Sequence, residues 1–122
     1  MNPTRTDIGR DAENRTLVYF ESLPCVRVLE RDLRRVFGEI DFVLEEILAS
    51  GKVELVFVEV RYRKEGGWVK SADSVVYSKR RRIERVASEY LCRYRGNARS
   101  LRFDVLAWNG NVLDHLKDAW RP

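Results

Sequence analysis

Two strand-like runs, Gly38-Glu39-Ile40-Asp41 and Phe57-Val58-Glu59-Val60-Arg61, each place acidic residues among apolar ones. They flank a turn centred near Ser50, so an antiparallel hairpin would set Asp41 opposite Glu59. Opposed residues share a face of the sheet, with Cβ atoms about 5 Å apart. Carboxylates gathered in this way repel one another, and a divalent metal ion is the simplest charge that would hold them together.

The same alternation assigns the remaining residues of the hairpin to its two faces. Glu39 and Arg61 would share the carboxylate face, where a cross-strand ion pair between them would add little stability. Strand residues that face water are often charged, so an exposed polar face without a metal stays an open alternative. The other face would be apolar and would pack in the core: Ile40, Phe42, Leu44, Val58, Val60 and Tyr62.

Periodicity and turn residues predict the other elements. Asp7 is a candidate N-cap for the first helix, the charged residues 31–35 and the glycine-containing residues 64–68 are predicted loops, and Asn109-Gly110 is typical of a two-residue hairpin turn. The resulting order, with a helix on each side of the central strands, indicates an α/β or α+β sandwich with a mixed sheet. The patterns predict helices over 8–21 and 78–95, and strands over 25–30, 39–46, 53–63, 101–108 and 112–116.

Length and composition limit the class of protein. The 122 residues suit a single domain over 1–122, and 44% hydrophobic with 34% charged residues is typical of a soluble globular protein. The longest apolar runs are too short to cross a membrane. The N-terminus has no apolar signal core, so we expect a cytoplasmic protein. Cys25 and Cys92 follow no pattern and are expected to be reduced thiols.

Positive charge is concentrated in one segment. Residues 79–102 hold nine basic and two acidic residues, a net charge of +7, which leaves −3 on the rest of the chain. The run Lys79-Arg80-Arg81-Arg82 opens a predicted helix, where the helix dipole disfavours positive charge and phosphate binding would offset that cost. Without a base-reading motif, we expect contacts to phosphates, although a solvated charged face is the alternative. The predicted nucleic-acid contacts are Lys79, Arg80, Arg81, Arg82 and Arg85.

The order of Asp41, a hairpin turn and Glu59-x-Arg61 resembles the active-site pattern of restriction-endonuclease-like nucleases. The whole chain resembles the YraN-type family of bacterial proteins, an uncharacterised branch of that fold related to Holliday-junction resolvases. The resemblance implies an α/β fold with a restriction-endonuclease-like mixed β-sheet core flanked by helices. The matching stretches are Gly9 with Ala12-Glu13, Gly38-Glu39-Ile40-Asp41, Phe57-Val58-Glu59-Val60-Arg61, Ser78-Lys79, Tyr90-Leu91, Arg102-Phe103-Asp104-Val105 and Asp118-Ala119-Trp120.

The resemblance also implies metal-dependent hydrolysis of DNA phosphodiesters, on branched or distorted DNA by the resolvase kinship. Asp41 and Glu59 would ligate Mg²⁺ or Mn²⁺, and the Val60 carbonyl could complete the protein ligands. Glu13 stands where resolvase-like relatives place an extra acidic ligand, although an ordinary exposed helix glutamate is an equal alternative. Lys79 could reach a phosphate. Symmetric DNA junctions would favour a homodimer.

Arg61 stands where nucleases of this fold usually place lysine. Arginine keeps the positive charge but is a poor proton acceptor, because it stays protonated. A nucleic-acid-binding module on the same scaffold, with little or no nuclease activity, is therefore the second interpretation. A protein that docks its basic helix onto an acidic partner is a third. Asp104 is expected only to serve strand packing or a polar edge, and the single histidine, His115, supports no histidine-based catalysis.

Overall fold

Five strands form one mixed sheet and lie in it in chain order, with one helix on each face. The computed structural model describes residues 5–63 and 76–122. Neighbouring strands are antiparallel except for the third and fourth, which are parallel. This confirms the α/β, restriction-endonuclease-like fold class. The elements are α1 (Arg5–Glu21), β1 (Val26–Arg35), β2 (Gly38–Ile47), β3 (Val53–Arg63), α2 (Tyr77–Arg93), β4 (Ser100–Asn109) and β5 (Val112–Trp120).

The central hairpin has the predicted register. Its paired residues run from Phe42 opposite Val58 to Ile47 opposite Val53. Gly51 lies in the turn with φ +84°, a left-handed conformation that glycine adopts without steric cost. Asp41 and Glu59 follow directly on the last pair of this register.

The core covers both faces of the sheet, so the expectation of one apolar face is wrong. On the α1 face, Phe20 packs with Phe42, Leu44, Val56, Val58 and Leu106. On the α2 face, Ile83 and Val86 belong to a second cluster, which also contains Ile40, Val43, Leu55 and Phe57. A sheet with helices on both faces needs apolar side chains in both directions, as the unbroken apolar run from Leu55 to Val58 supplies.

Two local predictions are corrected. Residues 31–35 belong to β1 and not to a loop, because main-chain pairing continues as far as Arg35 opposite Gly38. This edge strand tolerates charged side chains, since they can face water. Asp7 lies inside α1 and is not its N-cap, because the helix already begins at Arg5. The predicted loop over 64–68 lies outside the described residues.

The two helices otherwise agree with the pattern. In α2, Ile83, Val86, Ala87 and Tyr90 are buried at helical spacing. The helix ends at Arg93, two residues earlier than predicted, and Tyr94 is its C-cap. Among residues 5–63 and 76–122, neither helix has the length and apolar character needed to cross a membrane.

Gly38 allows β2 to pass close to α2. A Cβ atom at Gly38 would lie 3.2 Å from both the Cβ and the carbonyl oxygen of Arg82, and 3.3 Å from Cγ2 of Val86. These contacts are tighter than ordinary packing, and the Arg82 carbonyl belongs to the helix backbone. Any side chain at position 38 would therefore push β2 and α2 apart.

We expect Gly38→Ala to lower the free energy of unfolding by about 1 kcal/mol, since an extra methyl group overpacks this contact. Urea denaturation measures the change. Gly9→Ala is the matched control, because a Cβ at Gly9 in α1 meets nothing within 4 Å and alanine favours helix by about 1 kcal/mol. A Gly38→Ala protein as stable as the wild type would contradict the predicted clash.

Candidate metal centre

Asp41 is held at the point where β2 and β3 stop pairing. Its carboxylate is buried, and Oδ2 accepts a hydrogen bond of 2.8 Å from the Val60 N–H. The main-chain pairing of β2 with β3 ends at Phe42 and Val58. Beyond that pair, the Asp41 side chain and not a main-chain carbonyl accepts the hydrogen bond of the Val60 amide. The bond fixes the carboxylate between the two strands.

Glu59 is buried beside Asp41 and lies near two cations, Lys79 and Arg61. Its Oε1 lies 2.6 Å from Nζ of Lys79 and 3.8 Å from a guanidinium nitrogen of Arg61. Lys79 lies in the first turn of α2, whereas Arg61 lies on β3, two residues after Glu59. The structure thus brings together four of the five residues to which the sequence assigned catalytic roles.

Glu13, the fifth of these residues, lies in an acidic cluster with Asp32 and Asp41. One carboxylate oxygen from each of the three lies within 4.8 Å of the others. The three side chains come from α1, β1 and β2. Sequence reasoning missed Asp32, because it placed residues 31–35 in a loop. In the structure Asp32 has φ +53°, an uncommon conformation for a residue other than glycine.

Two carboxylates of this cluster, Asp41 and Glu13, have raised pKa values. Burial raises the pKa of Asp41 well above its usual range, and the negative charges of Glu59 and Glu13 raise it further, against the hydrogen bond from Val60. Burial also raises the pKa of Glu13, with Asp32 adding to the effect. When neighbouring carboxylates ionise in a buried site, their negative charges repel one another, and this repulsion disfavours the charged forms. These oxygen ligands fit a hard divalent cation such as Mg²⁺ or Mn²⁺.

The predicted nucleic-acid contacts lie along the first half of α2. Lys79 reaches Glu59, as described above. The Arg80 guanidinium lies 5.4 Å from the ring centre of Trp120, and that of Arg85 lies 4.2 Å from the ring centre of Phe37. Arg82 lines a cleft together with Lys79, and Arg81 lies 4.0 Å from Glu84. Several of these cations therefore pack on protein groups and also line the surface.

A second buried aspartate, Asp104, has a role that the sequence did not reveal. It accepts hydrogen bonds from Arg102 at 2.8 and 3.0 Å, from His115 Nε2 at 2.8 Å and from the Asp118 N–H at 3.0 Å. Burial opposes its ionised form, but the bonds from His115 and Arg102 outweigh burial and lower the pKa of Asp104. His115 Nδ1 lies 2.9 Å from the Tyr19 hydroxyl. The network ties β4 and β5 to α1.

The mixed sheet with helices on both faces, and an acidic cluster where β2 and β3 separate, places this chain among the restriction-endonuclease-like proteins. More narrowly, the chain belongs to the uncharacterised protein family UPF0102, which it matches over residues 12–108. The predicted YraN-type membership is thereby confirmed.

Relatives in several bacteria cover nearly the whole chain. A UPF0102 protein of Halorhodospira halophila is 41% identical over 113 residues, which cover 93% of this chain and 86% of the relative. The UPF0102 protein YraN of Salmonella typhi is 35% identical over 119 residues, with 96% and 86% covered. A UPF0102 protein of Shewanella amazonensis is 35% identical over 120 residues, with 98% and 100% covered.

The raised pKa of Asp41 predicts a pH-dependent cost to folding in the presence of a chelator. The folded state binds this proton more tightly than the unfolded state, so stability falls as pH rises from about 4, the ordinary aspartate pKa, through the raised value. Asp41→Asn removes the charge and keeps an acceptor for the Val60 N–H. We expect this variant to be more stable than the wild type near neutral pH, on the order of 1 kcal/mol, with the gap closing towards pH 4.

Urea denaturation at a series of pH values measures this gap. Glu39→Gln is the control, since Glu39 is an exposed carboxylate on the same strand that lies 3.6 Å from Arg34. Its gap should stay small at every pH. An Asp41→Asn protein less stable than the wild type near neutral pH would contradict the predicted repulsion.

Proposed function

We propose that the protein is a cytoplasmic, single-domain, metal-dependent nuclease that hydrolyses DNA phosphodiester bonds. The observation that carries this proposal is the buried Asp41 carboxylate, which lies beside Glu59 and within the Glu13–Asp32 cluster with a raised pKa. A structural ion pair would neutralise such a group, as Arg102 neutralises Asp104 at 2.8 Å. Perturbed carboxylates that lack such compensation are typical of functional sites.

The ligands in this proposal are oxygen atoms, which suit Mg²⁺ or Mn²⁺. Asp41 is the central ligand, with Glu59 and Glu13 as further carboxylates, and the Val60 carbonyl and Asp32 as additional candidates. A bound divalent ion would lower the pKa of a water molecule and offset the charge that develops on the scissile phosphate. Hard carboxylate oxygens favour these ions over zinc, which prefers nitrogen and sulfur ligands.

Two cations near Glu59 would act on the substrate, and both lie closest to its Oε1 atom. Arg61 on β3 can bind a phosphate through two guanidinium nitrogens and stabilise its charge, but it cannot accept a proton. Lys79 contributes an ammonium group from α2, 2.6 Å from Glu59. In this proposal Lys79 partly replaces the lysine that nucleases of this fold usually carry at the position of Arg61.

The substrate is expected to be branched or distorted DNA that the protein contacts through its phosphates, with Arg80, Arg81, Arg82 and Arg85 outside the centre itself. A homodimer would match the symmetry of a DNA junction. The exposed Val76 and Tyr77 at the start of α2 offer apolar surface for such a contact. The preceding apolar residue, Val75, lies outside the described residues.

The decisive experiment compares the wild type with Asp41→Asn in calorimetric Mn²⁺ titrations and in cleavage of a branched DNA. We expect the wild type to bind Mn²⁺ and to cleave. The variant should lose metal binding and at least about 100-fold in cleavage rate, the scale for loss of a group that stabilises developing charge. Asp11→Asn is the control, since Asp11 is an exposed carboxylate of α1 that lies 3.1 Å from Arg15 and is part of neither the cluster nor the clefts beside α2. Metal-dependent cleavage by the Asp41→Asn protein at the wild-type rate would contradict the assignment of Asp41 as a metal ligand.

The second candidate function, a nucleic-acid-binding module without effective catalysis, is favoured by Arg61 in place of lysine. Arg61→Lys separates the two candidates, because lysine restores the usual residue of the fold and retains the charge. We expect a nuclease to cleave about 100-fold faster, at the lower end of the range for a positioned acid–base group. A protein that binds DNA but cleaves with neither arginine nor lysine at position 61 is the binding module.

A further inference from the structure

A groove runs between the β1–β2 turn and the exposed side of α2. Two clefts of about 610 and 470 Å³ open into it, and they share Phe37 and Arg82 as lining residues. Both volumes lie within the roughly 300–1,000 Å³ typical of ligand pockets. The larger cleft is also lined by Lys79, whose ammonium group contacts Glu59. The groove therefore leads to the carboxylate cluster.

The lining of this groove is strongly basic. Its lining includes two acidic residues, Glu39 and Glu84, and six basic ones. Arg34 and Arg82 are exposed to solvent. Surface potential of this sign attracts a polyanion and concentrates it along the groove. The basic lining residues are Arg34, Arg35, Lys79, Arg81, Arg82 and Arg85.

An arginine–aromatic pair lines the groove, since Phe37 borders both clefts and Arg85 borders the smaller one. Phe37 packs against the core cluster beneath α2, and the Arg85 guanidinium lies over its ring at 4.2 Å from the centre. Arg85 is exposed to solvent. A guanidinium plane held on an aromatic ring offers its free face to a nucleobase, which stacks on it as on another base.

We propose that this groove binds single-stranded DNA, with a base stacked on the Arg85–Phe37 pair and its phosphates on the flanking arginines. Stacking of this kind requires an exposed base face, which unpaired nucleotides offer and a continuous duplex covers with neighbouring bases. The proposal rests on the proposed nuclease function for the choice of DNA. It specifies the substrate as DNA with an unpaired strand that enters along Lys79.

The test is fluorescence anisotropy of a labelled thymidine oligonucleotide, in EDTA, with the wild type and Arg85→Lys. Lysine keeps the charge and the helix propensity but loses the planar group. We expect Arg85→Lys to weaken single-strand binding about tenfold, within the range for loss of one stacked base, and to change duplex binding much less. Phe37→Leu should reproduce the loss, since it keeps an apolar side chain and removes the ring beneath Arg85.

The matched control is Arg93→Lys. Like Arg85, Arg93 is an arginine of α2 that lies over an aromatic ring, 5.9 Å from the ring centre of Tyr90. It does not line either cleft. This control should bind the single strand as the wild type does. Equal losses for Arg85→Lys and Arg93→Lys, an equal loss on duplex DNA, or tighter binding of a uridine oligonucleotide than of the thymidine one would overturn the proposal.

The experiment is independent of catalysis, because EDTA removes divalent metal. Stacking-dependent single-strand binding by a protein that cleaves no DNA would support the groove and reject the nuclease. Cleavage that depends on Asp41, together with unchanged single-strand binding by Arg85→Lys, would contradict binding in the groove and would still support the nuclease function.

Discussion

Parallel pairing of β3 with β4, from Glu54 opposite Ser100 to Arg63 opposite Asn109, constrains the rest of the molecule. Parallel neighbours cannot be joined by a tight turn, so the chain must cross over one face of the sheet. The helix α2 lies in this crossover and covers that face with Ile83 and Val86. Its first turn then lies near the end of β3, where Lys79 meets Glu59. The basic surface and the carboxylates are therefore adjacent as a result of topology.

The two buried aspartates show how one residue type serves two purposes. Asp104 receives hydrogen bonds from Arg102, His115 and a backbone amide, and its pKa falls despite complete burial. Asp41 receives one backbone bond and faces other carboxylates, and its pKa rises. The first arrangement stabilises the fold by joining β4, β5 and α1. The second makes ionisation of Asp41 costly, because burial and the negative charges of Glu59 and Glu13 oppose its charged form.

Structural features that depend on a local sequence pattern could be predicted from the sequence. Features that depend on contacts between residues distant in the chain could not. The register of β2 with β3 follows from their alternation and the turn between them, so the proximity of Asp41 and Glu59 was predictable. Asp32 was not, because pairing with β2 overrides the charged composition of residues 31–35. The bonds to Asp104 from Arg102, His115 and the Asp118 amide depend on the curvature and pairing of β4 and β5, which periodicity does not encode.

Both outer strands of the sheet are irregular and charged. The register of β1 shifts between Val28 and Glu30, the β4–β5 register shifts between Phe103 and Val105, and Asp32 and Asp118 have positive φ. Bulged, charged strands present a poor template for the backbone of another molecule. The irregularities that carry Asp32 towards Glu13 and the Asp118 amide to Asp104 therefore also guard against sheet extension and aggregation. Self-association of this fold would have to use side-chain surfaces and not a continuous intermolecular sheet.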